Sequence, residues 1–173
     1  MSKTLDNLRT AFAGESQAFI RYTYFATAAR KEGFHYIAKI LEETAQNELR
    51  HAKDELILLH GIGDTVANLK EAIGGEHLET TAMYPSFAKE ADAEMDDAAA
   101  RLFHEIGQVE MHHRVRFQKL LQLIETGMVY RRDQPIKWKC SVCGYIHDGK
   151  EPPSSCPCCH HPREFYEPAS LDI

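Results

Sequence analysis

Cysteine is missing from most of this 173-residue chain; all five cysteines lie between Cys140 and Cys159. That distribution argues against a secreted disulfide framework and suits metal binding in a reducing cytoplasm. Long apolar runs are missing too, and the opening MSKTLDNLRT lacks the apolar core of a signal peptide. A cytoplasmic protein with no membrane partner is the expectation. Nor is there an excess of positive charge, since 20 Lys and Arg face 26 Asp and Glu, for a net charge of −6. Nucleic acid and anionic membrane surfaces are therefore poor candidates as partners. The length allows one domain of ordinary size plus a small appendage.

What the chain does have is a duplicated pattern of metal-ligating residues. Glu15 is followed 33 residues later by Glu48 and His51, and Glu76 is followed 34 residues later by Glu110 and His113. Residues three apart share a helix face, so each Glu-x-x-His offers a carboxylate and an imidazole to one metal. Four helices carrying Glu, Glu-x-x-His, Glu and Glu-x-x-His inward form the ligand set of di-iron or di-manganese carboxylate bundles.

The hydrophobic pattern places these residues on core-facing stripes. The four seams read Leu5, Leu8, Phe12, Glu15, Phe19, Tyr22, Ala26, Ala29; then Ile37, Leu41, Thr44, Glu48, His51, Glu55, Leu58. They continue as Val66, Leu69, Ile73, Glu76, Thr80, Met83, Phe87 and as Phe103, Ile106, Glu110, His113, Phe117, Leu120, Ile124. Steps of three and four mark helices, expected near 4–31, 35–60, 65–92 and 94–127. Each seam has a glutamate at its centre, and burying such carboxylates unpaired costs several kcal/mol or more, so cations or protons are required. Glu55 shares the second seam and reads as drifting toward the bundle end. Glu79, three residues after Glu76, has no counterpart in the first half, where Ala18 stands, and adds a seventh potential ligand. Gly74 and Gly75 precede Glu76 and imply either close packing or a kink.

Residues 131–137 read as a linker between a bundle over 1–130 and a small domain over 138–173. In that domain Cys140-x-x-Cys143 and Cys156-x-x-Cys159 supply four thiolates on two turns, suited to a single iron or to zinc. A module this short needs such a metal to be stable. Cys158 reads as a bystander inside the second turn, and His147, His160 and His161 as surface residues.

The tail, with Cys140-x-x-Cys143-Gly144-Tyr145 and Cys156-Pro157-x-Cys159, resembles the iron knuckles of rubredoxin, with Trp138, Tyr145 and Phe165 as expected core aromatics. A four-glutamate bundle followed by such a tail resembles rubrerythrin. The stretches AFAGESQA, TAQNELRHAK, GEHLETTAMYPSFAK and KWKCSVCGY carry the likeness over nearly the whole chain. The resemblance implies a ferritin-like all-α four-helix bundle followed by a metal-stapled rubredoxin-like domain. It implies Glu15, Glu48, Glu76, Glu79, Glu110 and His113 as di-iron ligands, with Glu79 and His51 exchanging at one iron on reduction. Cys140, Cys143, Cys156 and Cys159 match the ligands of a one-electron iron centre, and Tyr22 and Tyr84 match tyrosines near the di-iron site.

Together these features predict a di-iron peroxidase that reduces hydrogen peroxide to water in oxidative-stress protection. Electrons would arrive from an external donor, such as a rubredoxin or an NAD(P)H-dependent reductase, through the tetrathiolate iron. The resemblance also implies a head-to-tail homodimer. The alternatives are a ferroxidase or iron-handling ferritin-like protein, and a metal-binding sensor whose tail holds structural zinc.

Overall fold

The computed structural model describes residues 2–170. Positions 1 and 171–173, at the outer limits of the two expected domains, lie outside the described residues. The chain divides into two units, one running to Asp64 and the other from Thr65 onward. All four expected helical segments are present, followed by a small strand-containing domain, and among the described residues no helix is long and apolar enough to cross a membrane.

The first unit is a helical hairpin of α1 (Lys3–Lys31) and α2 (His35–Leu58). Gly33 makes the turn at a φ of 87°, a region that a side chain would strain. The Phe34 N–H then reaches back to the Ala29 carbonyl at 2.9 Å. The two helices meet along small residues: Ala18, Ala26 and Ala29 on α1, and Ala38, Ala45 and Ala52 on α2, are buried. Ala26, Ala29 and Ala38 form one cluster with Leu41 against it. Alanine lets the helix backbones approach closely, and the contact runs along the predicted seam at Ala26, Ala29 and Leu41 but beside it at Ala18, Ala38, Ala45 and Ala52. Leu5, Ile37 and Leu58, read as inward from periodicity, are exposed in this unit. Arg30 ties the two helices together near the turn with an ion pair to Glu42 at 2.6 Å.

The second unit begins with α3 (Thr65–Leu78), a π-helical turn (Glu79–Met83) and α4 (Tyr84–Ala93), which together occupy the third expected helix. The α-helical pattern runs straight through Gly74 and Gly75, and a Cβ on either would meet nothing within 4 Å among the described residues. The irregularity falls instead at Glu79. Pro85 explains part of it, because proline has no N–H to donate and its ring clashes with the carbonyl four residues back. The Tyr84 N–H bonds to the Glu79 carbonyl, five residues back. Hydroxyls of Thr80 and Thr81 both donate to the His77 carbonyl, at 3.1 and 2.7 Å, supplying donors where the ladder changes step.

Helix α5 (Asp97–Glu125) packs against α3 and α4. Its start is fixed by Asp96, whose carboxylate accepts the Ala99 N–H at 3.0 Å. A three-stranded antiparallel sheet follows, ordered β2-β1-β3 from β1 (Ile136–Cys140), β2 (Ile146–Gly149) and β3 (Tyr166–Pro168). Trp138 pairs with His147 on one side and Pro168 on the other, and its indole N–H donates to the Gly149 carbonyl at 3.0 Å.

The core of this domain is Trp138, Cys140, Cys156 and Tyr166. Two of the three expected core aromatics are therefore corrected. Trp138 is wholly buried, but Tyr145 and Phe165 are 38% and 43% exposed. Phe165 closes a 3-10 turn (Arg163–Phe165) and lies edge-on to His161 at 5.0 Å. The inward place falls one residue later, on Tyr166, which is only 4% exposed. Cys158 is exposed and is not among the four thiols that converge.

Candidate metal centres

Three groups of donors converge. Glu15, Glu48 and His51 meet on the first hairpin, Glu76, Glu110 and His113 in the second unit, and Cys140, Cys143, Cys156 and Cys159 in the small domain. Within each group the ligand atoms lie no more than 4.8 Å apart. The three-residue spacing does what periodicity requires. His51 Nδ1 lies 2.9 Å from Glu48 and 3.7 Å from Glu15, each through Oε2. The second group repeats this, with His113 Nδ1 2.6 Å from Glu110 and 3.9 Å from Glu76.

Electrostatics point to a missing positive charge. The Glu15 carboxyl is raised above the usual carboxylate range by a hydrogen bond shared with Glu48, then by burial and by repulsion from Glu48 and Glu55. The Glu76 carboxyl is raised by burial first, then by Glu110. Among the described residues Glu76 Oε2 is enclosed without a hydrogen-bond partner, and so is Glu55 Oε2. Glu55 thus lies nearer the first group than a residue drifting toward the bundle end. Carboxylates crowded with imidazole are the donor set of hard divalent iron or manganese, and a cation there would relieve the repulsion.

Glu79 is half-buried at the first position of the π turn and is not among the three donors that converge beside it. Tyr84, at the far end of that turn, has its hydroxyl acidity weakened by burial and by the charges of Glu79, Glu110 and Glu76. Gly107 on α5 makes room for it, since a Cβ there would lie 3.3 Å from the Tyr84 Cβ. Tyr22 is half-buried on α1, tilted against Phe25 at 6.3 Å. Sequence reasoning missed Arg114, next to His113, which donates to His77 Nδ1 at 2.8 Å and ties α5 to α3. Its only sequence signal is a cation beside a glutamate-rich seam.

The thiolate group is built from two matching knuckles. In the first, the Cys140 N–H bonds to the Tyr145 carbonyl and the Gly144 N–H returns to Cys140, both at 2.8 Å. In the second, the Cys156 N–H bonds to His161 at 2.8 Å and the His160 N–H returns to Cys156 at 2.9 Å. Gly144 has a φ of 80°, and His160 adopts 61° at the corresponding place. The sulfurs of Cys140 and Cys159, and of Cys143 and Cys156, are 3.7 Å apart. Thiolates about 2.3 Å from a tetrahedral ion sit roughly 3.7–3.8 Å from one another, so the cage has the size of a metal site. Burial raises the Cys156 thiol, but the Tyr166 hydroxyl and the Cys159 and Cys158 backbone groups near it favour the thiolate and outweigh burial, lowering the thiol to about 6. At Cys143 a backbone hydrogen bond near Tyr145 favours the thiolate, yet burial and the neighbouring sulfurs push the thiol well up. Four crowded sulfurs cannot all ionise without a cation among them.

Comparison with known proteins agrees with this donor inventory. Residues 6–121 match the family model described as rubrerythrin, and residues 138–167 the one described as rubrerythrin, rubredoxin-like domain. The chain is 44% identical to the rubrerythrin of Nitratidesulfovibrio vulgaris, over 96% of this chain and 94% of that protein. It is 43% identical to the rubrerythrin of Clostridium perfringens, with the same coverage, and 42% identical to that of Porphyromonas gingivalis, over 96% and 90%.

Proposed function

The chain belongs to the rubrerythrin family, with its di-iron carboxylate–histidine site and its rubredoxin-like tetrathiolate site, and on that premise we propose that it reduces hydrogen peroxide to water. Each peroxide takes up two electrons and two protons and leaves as two waters. The carboxylate–histidine residues would hold iron able to supply an electron pair, and the four cysteines would hold iron able to pass single electrons. The observation that carries this reading is the presence of both donor sets in one chain. A ferroxidase or a store has no need of an attached electron carrier, and a sensor has no need of carboxylate–imidazole triads.

In this reading Glu15, Glu48, Glu76, Glu79, Glu110 and His113 would hold the iron pair, and His51 would be the residue that exchanges with Glu79 on reduction. Standing at a π turn beside a convergent triad, Glu79 is the carboxylate free to leave and carry a proton inward. Tyr84, weakened as an acid by burial and by the surrounding carboxylates, stays protonated and can donate its hydroxyl hydrogen to them, and Tyr22 is the matching hydroxyl on α1. The working protein is a cytoplasmic head-to-tail homodimer, of a bundle over 1–130, a linker over 131–137 and a rubredoxin-like domain over 138–173. A rubredoxin or an NAD(P)H-dependent reductase feeds it electrons.

The test is anaerobic stopped flow on fully reduced, iron-loaded protein, following the red ferric tetrathiolate absorbance. Fast recovery of colour with hydrogen peroxide and slow recovery with oxygen is the expected result. Faster recovery with oxygen would favour a ferroxidase. A colourless iron-loaded protein would make the tail structural. Electron transfer that persists undiminished on dilution to monomer would remove the head-to-tail dimer.

A further inference from the structure

Tyr166 was not singled out by any motif, yet it is the most deeply buried tyrosine of the small domain and packs in one cluster with Trp138 and the ligand cysteines Cys140 and Cys156. It pairs across the sheet with Cys140. Its hydroxyl oxygen is enclosed and, among the described residues, closes no conventional hydrogen bond. A buried hydroxyl left without a partner costs about 1–3 kcal/mol, so a tyrosine where phenylalanine would fill the same space needs a reason. The chemistry around it supplies one, because Tyr166 packs in one cluster with the ligand residues Cys140 and Cys156, and a ligand thiolate is an acceptor that the phenol can serve.

We propose that Tyr166 is a positioning residue for the tetrathiolate centre, its hydroxyl donating to the Cys156 sulfur and raising the reduction potential of the iron held there. When the centre takes up one electron, negative charge on its sulfurs grows, and a donor fixed beside one of them favours the reduced form. No proton leaves the tyrosine in either state. Cys156 and Tyr166 are both buried in the same cluster, so a hydrogen bond between them is shielded from water.

The inference needs iron in the thiolate cage and is independent of which oxidant the carboxylate sites use. The experiment is spectroelectrochemistry of the full-length, iron-loaded protein, read at the charge-transfer bands of the tetrathiolate. In Tyr166→Phe the ferric-to-ferrous ratio at a fixed applied potential should rise by up to about tenfold, equivalent to a fall of about 59 mV for a one-electron couple. Site-specific 3-fluorotyrosine at 166 keeps the hydroxyl and makes it a stronger donor, so its shift should have the opposite sign. The zinc-loaded melting temperature of Tyr166→Phe should stay within a few degrees of the parent, which separates tuning from packing. An unchanged potential in Tyr166→Phe overturns the proposal. So does a shift accompanied by collapse of the zinc-loaded fold. If Tyr166→Phe does not retain iron, the fluorotyrosine protein decides alone, and a potential equal to the parent's rejects the idea. Absence of peroxide turnover in the parent protein, with the potential shift intact, would instead count against the peroxidase reading.

Discussion

Gly144 and His160 close equivalent turns, yet only one of them is a glycine. A left-handed backbone costs a side-chain-bearing residue about 1–2 kcal/mol, which His160 bears and Gly144 avoids. Gly144→Ala is therefore expected to destabilise the metal-loaded domain by about 1–2 kcal/mol, while His160→Gly stabilises it slightly, as chelator-challenge midpoints would register. Equal midpoints for all three proteins would show that the metal masks backbone strain. Glu79 is the other residue with a sharp test. Glu79→Ala should slow peroxide turnover while iron content measured by metal analysis stays full. Unimpaired turnover would strip Glu79 of its role, and empty sites would make it an indispensable ligand rather than a mobile one.

At the scale of the element, the π turn sets where the third helix points its side chains. One extra residue rotates everything beyond it by about 100° around the helix axis. It also resets the seam, so that Glu76 and Met83 both remain half-buried across an irregular step. Pro85→Ala restores a donor N–H and lets the segment relax into a regular α-helix. The expected outcome is an apoprotein at least as stable to denaturant, but with weaker manganese(II) binding in calorimetry because Glu79 is turned away. Unaltered manganese affinity would mean that the turn does not position the site.

The periodicity of three and four residues revealed the helices, their glutamates and the convergence of each Glu-x-x-His with its partner, because one repeating geometry links spacing to face. It could not reveal the π turn, which breaks that geometry. It placed Ala26 and Ala29 on the first seam but passed over Ala18, Ala38, Ala45 and Ala52, since alanine is weakly hydrophobic and hides in a scale that rewards bulk. Tyr166 escaped because the choice between adjacent aromatics depends on where a 3-10 turn ends, and that turn has no sequence period.

For the molecule as a whole, the two kinds of metal site have different consequences for stability. Two of the four core residues of the small domain are metal ligands, so removing the ion removes the core itself. The chain has a single tryptophan, Trp138, and its fluorescence reports this domain alone. Chelation should shift that emission to the red while far-UV dichroism at the helical bands falls little. A parallel loss of both would show that the helices also depend on the ion. The carboxylate sites behave oppositely in metal-free protein. Glu15 and Glu76 hold their protons above the ordinary glutamate range when folded, so the folded form binds more protons than the unfolded form in that window. Stability of the chelated protein should consequently fall as pH rises through the window, and the slope should flatten in Glu15→Gln/Glu76→Gln. An identical pH profile for the two proteins would remove these carboxyls as its cause.

The four sulfurs are not equally sheltered: Cys140 and Cys156 are buried, Cys159 is half-buried and Cys143 is exposed. The centre thus has a front and a back. Because electron tunnelling falls steeply with distance, a donor that touches the surface near Cys143 and the exposed Val142 is far better placed than one approaching behind Trp138. Traffic into the chain is given a doorway, and a bulky or charged substitution at Val142 would narrow it without altering the metal at all.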